Sequence, residues 1–247
     1  MKCSKCACDA VITQRYSGMS LCPLHFTEDF ESRAKKAIRK HGWLSPNDCI
    51  AVDCDGSFAA AALLHLLAKF FGKRPDIRLI AVGDDEEILK EIAERYGIGY
   101  KKYTSFSAFN PGKHGCTKFA IPATLDSEAE FVFECILSGD SDGLISRGRS
   151  SDIPHIMPLM NIPAAEAELY CRIHGIETGE KAVYAAGPEI RESGSDSGTD
   201  ADTEFPKLAK KLLDEYTEEH PAAKYALVNL MEEFQSAEGR DDSERES

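Results

Sequence analysis

From Cys49 to Tyr103 short apolar runs alternate with amphipathic helical patterns, and this rhythm restricts the fold more than any other feature of the chain. Cys49 to Val52 reads as a strand, Asp53 to Ser57 as a tight polar turn, and Phe58 to Phe71 as a long alanine- and leucine-rich helix. Strand Ile77 to Val82, helix Asp85 to Tyr96 and a strand near Gly99 to Tyr103 come next. Strand, helix and strand in this order predict an α/β fold, a parallel sheet with crossover helices. Ligands of such sheets bind beyond the carboxyl ends of the strands, beside helix N-termini. Further on, Phe119 to Pro122 reads as a buried strand and Ser127 to Leu137 as a helix. The glycine-rich stretch GDSDGLISRGRSS reads as a loop leading into Ile156 to Leu159. A helix from Pro163 to His174 and a helical pair, Phe205 to Tyr216 and Ala222 to Phe234, complete the pattern, with a break at His220-Pro221.

The first twenty-five residues carry a second constraint. Cys3-Ser-Lys-Cys6 and, fifteen residues later, Cys22-Pro-Leu-His25 are two half-sites at knuckle spacing. Two ligands separated by two residues point the same way from one tight turn, and two such turns complete a tetrahedral Zn²⁺ shell. Cys8 offers a third thiolate near the first half-site, but Cys3 and Cys6 mirror the spacing of Cys22 and His25. A disulfide framework would normally belong to a small secreted chain with a signal peptide, and Met1-Lys2-Cys3 runs straight into the knuckle. The expectation is a structural zinc site in a soluble, cytoplasmic protein without a membrane partner.

The net charge of −13 excludes indiscriminate nucleic-acid binding, which requires a basic surface. Charge is uneven, however: Arg33, Lys35, Lys36, Arg39, Lys40 and His41 make one basic helix, a candidate contact for RNA. The resulting organisation is a zinc knuckle (1–27), a basic linker helix (28–45) and an α/β domain (46–190). An acidic loop (191–204), C-terminal helices (205–235) and a disordered tail (236–247) complete it.

The turn Asp53-Cys54-Asp55-Gly56-Ser57 stands where a nucleotide-binding α/β protein keeps its phosphate loop. Three readings compete. Backbone N–H groups and the helix N-terminus can hold phosphate, as in PP-loop ATPases. Asp53 and Asp55 can hold Mg²⁺, because Asp-x-Asp-Gly after an apolar strand resembles the first motif of haloacid-dehalogenase-type phosphatases. The turn can also be a relic without a ligand. Against the phosphatase stands the missing remainder of its motif set: Val82-Gly83-Asp84-Asp85 comes one crossover too soon, and a helix cap explains it.

Nearly end to end, the order of features resembles the archaeal and eukaryotic cytosolic tRNA 2-thiolation family of PP-loop ATPases. The resemblance is carried by the knuckle, by Ala37-Ile-Arg-Lys-His-Gly-Trp-Leu44 ahead of the first strand, and by the phosphate-loop position at Asp53 to Phe58. It continues through Ala123-Thr-Leu-Asp126-Ser-Glu128-Ala129, Met157-Pro-Leu-Met-Asn-Ile-Pro-Ala-Ala-Glu166 and His220-Pro221-Ala-Ala-Lys224. It implies an adenine nucleotide alpha hydrolase-like fold of PP-loop type, and ATP-driven replacement of a uridine oxygen by sulfur. The family's loop, Ser-Gly-Gly-x-Asp-Ser, is reduced here to a single glycine flanked by two carboxylates, and Coulomb repulsion should weaken phosphate binding unless Mg²⁺ intervenes. The family's His-Asn is replaced by Ala123-Thr124, and of its central Cys-x-x-Cys only Cys116 remains.

The expectation is therefore a divergent member with a weakened or lost ATP site, in the limit a pseudoenzyme. Its alternatives are a Mg²⁺-dependent phosphoesterase built on Asp53-x-Asp55-Gly56 and a non-catalytic tRNA- or partner-binding protein. Asp53, Asp55, Gly56, Ser57 and Asp126 are the candidate nucleotide residues, with Glu128 beside Asp126, and no catalytic residue is singled out. Cys3, Cys6, Cys22 and His25 are the candidate zinc ligands. ATP and Mg²⁺ are candidate cofactors, whereas an iron–sulfur cluster from Cys116, Cys135 and Cys171 is not expected. A sulfur carrier or an active paralogue is a candidate partner. His114 and His155 read as solvated loop histidines, and Arg147 and Arg149 as loop cations able to grip RNA phosphate.

Overall fold

Pro23 at the first helical position costs no hydrogen bond and presets the backbone, so a helix starts directly after Cys22. The structure, a computed structural model, describes residues 1–84, 86–103, 114–147, 153–176 and 201–245. A short antiparallel hairpin, β1 (Ile12–Gln14) and β2 (Met19–Leu21), precedes α1 (Pro23–Lys40). The elements after α1 are β3 (Cys49–Asp53), α2 (Phe58–Phe71), β4 (Arg78–Gly83), α3 (Glu86–Tyr96), β5 (Gly99–Lys102) and β6 (Lys118–Ala120). The chain continues through α4 (Leu125–Ser138), α5 (Ser141–Ser146), β7 (His155–Ile156) and α6 (Ala164–Ile173). It ends with α7 (Ala201–Glu219) and α8 (Ala223–Arg245).

Five strands form one parallel sheet in the order β5-β4-β3-β6-β7. Every residue of β3 is buried, as expected of a central parallel strand. The chain builds first to one side of β3 and then to the other, so the strand order reverses between β3 and β6. A crevice at the carboxyl ends of those two strands is where such a sheet takes a ligand. Helix α2 carries apolar residues almost all round, Leu63, Leu64, Leu66 and Leu67 among them, and packs on α6. Each buried leucine contributes about 1.5–3 kcal/mol.

The described residues fall into two compact units. The first is Met1–Thr124 with the described part of Gly148–Tyr184, and the second is Leu125–Arg147 with the described part of Ala185–Ser247. In the first, Phe30 of α1 stacks on Tyr170 of α6 with ring centroids 4.2 Å apart. Buried Glu166 accepts from Tyr16 Oη at 2.8 Å, from Gln14 Nε2 at 3.3 Å and from the Arg33 guanidinium, tying hairpin, α1 and α6 together. In the second, Ala129, Val132 and Cys135 turn the apolar face of α4 inward, and α4 packs against α7 and α8.

Several expectations are corrected. The segment 28–45 is not a linker: α1 buries Phe26, Phe30, Ala34 and Ile38 in the core of the first unit. The stretch read as a glycine-rich loop contains α5, because the Asp140 carboxylate caps it by accepting from Gly143 N at 2.8 Å. Helix α8 continues to Arg245 through most of the segment read as a disordered tail. Of the acidic loop, 191–200 lies outside the described residues, and α7 already begins at Ala201. No helix among the described residues is long and apolar enough to cross a membrane.

Candidate functional site

Each half of the knuckle is held by its local backbone. Cys22 is the N-cap of α1 and His25 sits in its first turn, so both side chains leave the same end of the helix. Cys3 is buried, and its Sγ accepts from Lys5 N at 3.4 Å. The four donors converge: Cys6 Sγ lies 3.8 Å from Cys22 Sγ, and His25 Nδ1 lies 3.4 Å from both Cys3 Sγ and Cys22 Sγ. All four lie within 4.8 Å of one another. A tetrahedral ion with Zn–S ~2.3 Å spaces two sulfurs ~3.8 Å apart, so the set fits a single ion. Burial pushes the Cys3 thiol up, but hydrogen bonds from backbone N–H groups of Cys22, Lys5 and Cys6 and from His25 bring it to about 6. Thiolates this crowded repel one another unless a cation lies among them. Cys8 is exposed and stands outside the set.

The second site is the turn after β3, at the switch between β3 and β6. Its polar groups are mutually engaged. Asp55 Oδ1 accepts from Ser57 N at 2.9 Å, and Ser57 Oγ caps α2 by accepting from Ala60 N at 3.1 Å. Gly56 has φ +84°, a conformation that costs a side-chain-bearing residue and that the Asp-Gly pair supplies. Asp53 is buried and accepts from Tyr103 Oη at 2.7 Å. Burial pushes its carboxyl up to about 7, the charges of Asp55 and Asp84 add to the rise, and the Tyr103 hydroxyl opposes it. Cys54 is fully buried, and burial raises its thiol far above the reactive range.

An acid whose folded pKa lies above its ordinary value stabilises the fold most when protonated in both states. That stability is complete below 3.8 and is lost as pH rises through 7. At ~1.4 kcal/mol per pK unit the effect is on the order of a few kcal/mol. Asp53→Asn is expected to flatten the decline in stability across this window. Denaturant unfolding at a series of pH values checks it, and identical slopes in the two proteins would contradict it.

The remaining predicted residues are placed as follows. Asp126 lies in the second unit, where Lys224 Nζ bridges it at 2.9 Å to Asp214. Glu128 is wholly buried there and receives Arg147 through two hydrogen bonds, at 2.5 and 3.1 Å. Both acids thus serve the packing of the helical unit, and Arg147 is no mobile RNA-gripping cation. Arg149 lies outside the described residues. His155 is no loop residue: it is buried on β7 against the Phe119 ring. Arg33, counted in the basic stripe, turns inward to Glu166 and Asp29. Cys116 Sγ lies 3.6 Å from Cys49 Sγ, Cys171 Sγ donates to Phe58 O at 3.4 Å, and Cys135 belongs to the second unit. Sequence reasoning missed Tyr103, whose only signal is its position just past the end of β5, and Glu166, whose partners are distant in sequence.

Residues 2–27 match the family model "2-thiouridine synthetase TtuA, N-terminal LIM domain". A probable sulfurtransferase of Methanocaldococcus jannaschii is 25% identical over 95% of this chain and 78% of its own length. The tRNA 2-thiolation protein NcsA of Haloferax volcanii is 35% identical over 36% of this chain and 29% of its own length. These similarities all point to the TtuA/NcsA-type tRNA 2-thiolation family. Its fold is shared with the U34-tRNA thiolase NcsA of Methanococcus maripaludis, with a TM-score of 0.75 and 20% identity over 96% of this chain and 87% of the other. The phosphoesterase alternative is not favoured by these similarities. That thiolase structure carries a [4Fe-4S] cluster, and this overturns the expectation against an iron–sulfur cofactor. Absence of a Cys-x-x-Cys motif was too weak a basis for it, since a family can gather cluster ligands from thiols distant in sequence.

Proposed function

We propose that the protein acts in tRNA uridine 2-thiolation with a weakened ATP site of its own, holding tRNA for a reaction in which an active paralogue or a sulfur carrier takes part. The observation that carries this reading is the state of the Asp53–Ser57 turn. A phosphate bound at a helix N-terminus needs free N–H donors and positive potential. Here the Asp55 carboxylate takes the Ser57 N–H, the Ser57 hydroxyl takes the Ala60 N–H, and Asp53, Asp55 and Asp84 gather acidic groups at the same end of the sheet. Mg²⁺ on Asp53 and Asp55 is the one arrangement that would offset this repulsion. Zinc belongs at Cys3, Cys6, Cys22 and His25, where it would brace the hairpin against α1, and a reduced thiolate site of this kind suits the cytoplasm. AMP release with unmodified tRNA and ATP tests the proposal. Turnover is expected to stay at background for the isolated protein, and tRNA-dependent AMP formation at ordinary enzyme rates would overturn it.

A further inference from the structure

We infer that the groove between the C-terminal halves of α1 and α2 is a docking site for single-stranded RNA, with Lys35 and Arg39 on phosphates and a base against its apolar wall. The inference rests on the tRNA reading above and gives it a location. The groove has a volume of about 700 Å³, and Ile38, Leu44, Phe70 and Phe71 form its apolar lining. Two of its cations are neutralised: Lys69 pairs with Glu31, and Arg74 with Asp76 through two hydrogen bonds. The other two are not. Lys35 Nζ rests 4.0 Å from the centroid of the Phe70 ring, and among the described residues no carboxylate pairs with Lys35 or Arg39.

Their i,i+4 spacing on α1 puts them on one face, about 5–6 Å apart at Cβ, so that they can meet neighbouring phosphates of one strand. Phe70 and Phe71 stand edge to face with centroids 5.9 Å apart beside them. Cations along a groove with aromatic rings between them are what a single strand needs, since every base has a face that stacks and every linkage a charge. A duplex presents phosphates but keeps its bases stacked on each other. In a chain of net charge −13, unpaired lysine and arginine beside aromatic rings concentrate attraction for RNA at one place. Helix α2 spans ~20 Å from the Asp53–Ser57 turn to this groove, at ~1.5 Å per residue. RNA held here is therefore gripped away from the nucleotide turn, and the groove positions an unpaired segment of the tRNA other than the uridine that reacts.

The test is fluorescence anisotropy of the full chain with an unmodified tRNA transcript across a salt series. A single-stranded RNA and its duplex serve as competitors. Lys35→Ala/Arg39→Ala is expected to weaken binding ~10-fold and to lower the slope of log affinity against log salt by about 1.4, at ~0.7 per single-strand phosphate contact. Phe71→Leu, which keeps the apolar volume, is expected to weaken binding while leaving that slope unchanged. Single-stranded RNA should compete better than duplex. Wild-type affinity and slope in the double variant would overturn the groove and leave the tRNA reading standing. Equal competition by duplex would overturn the stacking role of the wall. A wild-type protein that binds no tRNA would overturn the reading itself, without reference to any variant.

Discussion

Replacing Cys3 and Cys22 by serine is expected to remove one zinc per chain and to unfold residues 1–27, while the parallel sheet survives. The hairpin has two strands of three residues each, far too little to fold alone. What holds it is convergence of the four donors, together with burial of Leu21 and Phe26 against the core of the first unit. Structural zinc contributes on the order of 10–16 kcal/mol in finger peptides at neutral pH, more than any other interaction available to a segment of this size. The five-stranded sheet has its own core in α2 and β3 and does not depend on the ion. Metal analysis of the purified protein gives the stoichiometry, and limited proteolysis reports the state of the segment. A protein that is zinc-free yet protected from cleavage before α1 would contradict the account.

Arg147→Ala is expected to destabilise the second unit by ~3–5 kcal/mol, because it leaves the wholly buried Glu128 carboxylate without a counter-charge. Removing both partners is a different experiment. An Arg147→Met/Glu128→Leu variant replaces two desolvated charges with apolar side chains of similar size and should recover most of the loss. By contrast, Arg172→Ala breaks an exposed i,i+4 pair with Glu168 and should cost no more than about 0.5 kcal/mol. Urea unfolding of the three variants ranks them. Equal stability of wild type and Arg147→Ala would mean that the pair does not hold α4 to the segment after α5.

The parts of the molecule legible in the sequence are those whose cause is local. Helix α2 follows from an alanine- and leucine-rich run after a capping serine, and the parallel sheet from the strand–helix–strand rhythm. The convergence at the knuckle follows from two ligand pairs, each set by one turn. What the sequence hid depends on partners far along the chain. Asp126 and Glu128 follow β6 closely, which makes them candidates beside the nucleotide turn, and nothing local in the sequence signals that Lys224 and Arg147 pair with the two carboxylates. Arg33 looks like one cation of a basic stripe until Glu166, distant in sequence, draws it inward. His155 reads as solvated because a two-residue strand gives no periodicity to detect.

The central proposal is that the Asp53–Ser57 turn binds phosphate too weakly to serve as an ATP site, and isothermal titration of the full chain with ATP, with and without Mg²⁺, tests it most directly. The account predicts no saturable heat up to millimolar ATP in either condition, for the wild type and for Asp55→Asn alike. Micromolar binding that requires Mg²⁺ and disappears in Asp55→Asn would contradict it and would make the two carboxylates a metal-bridged nucleotide site.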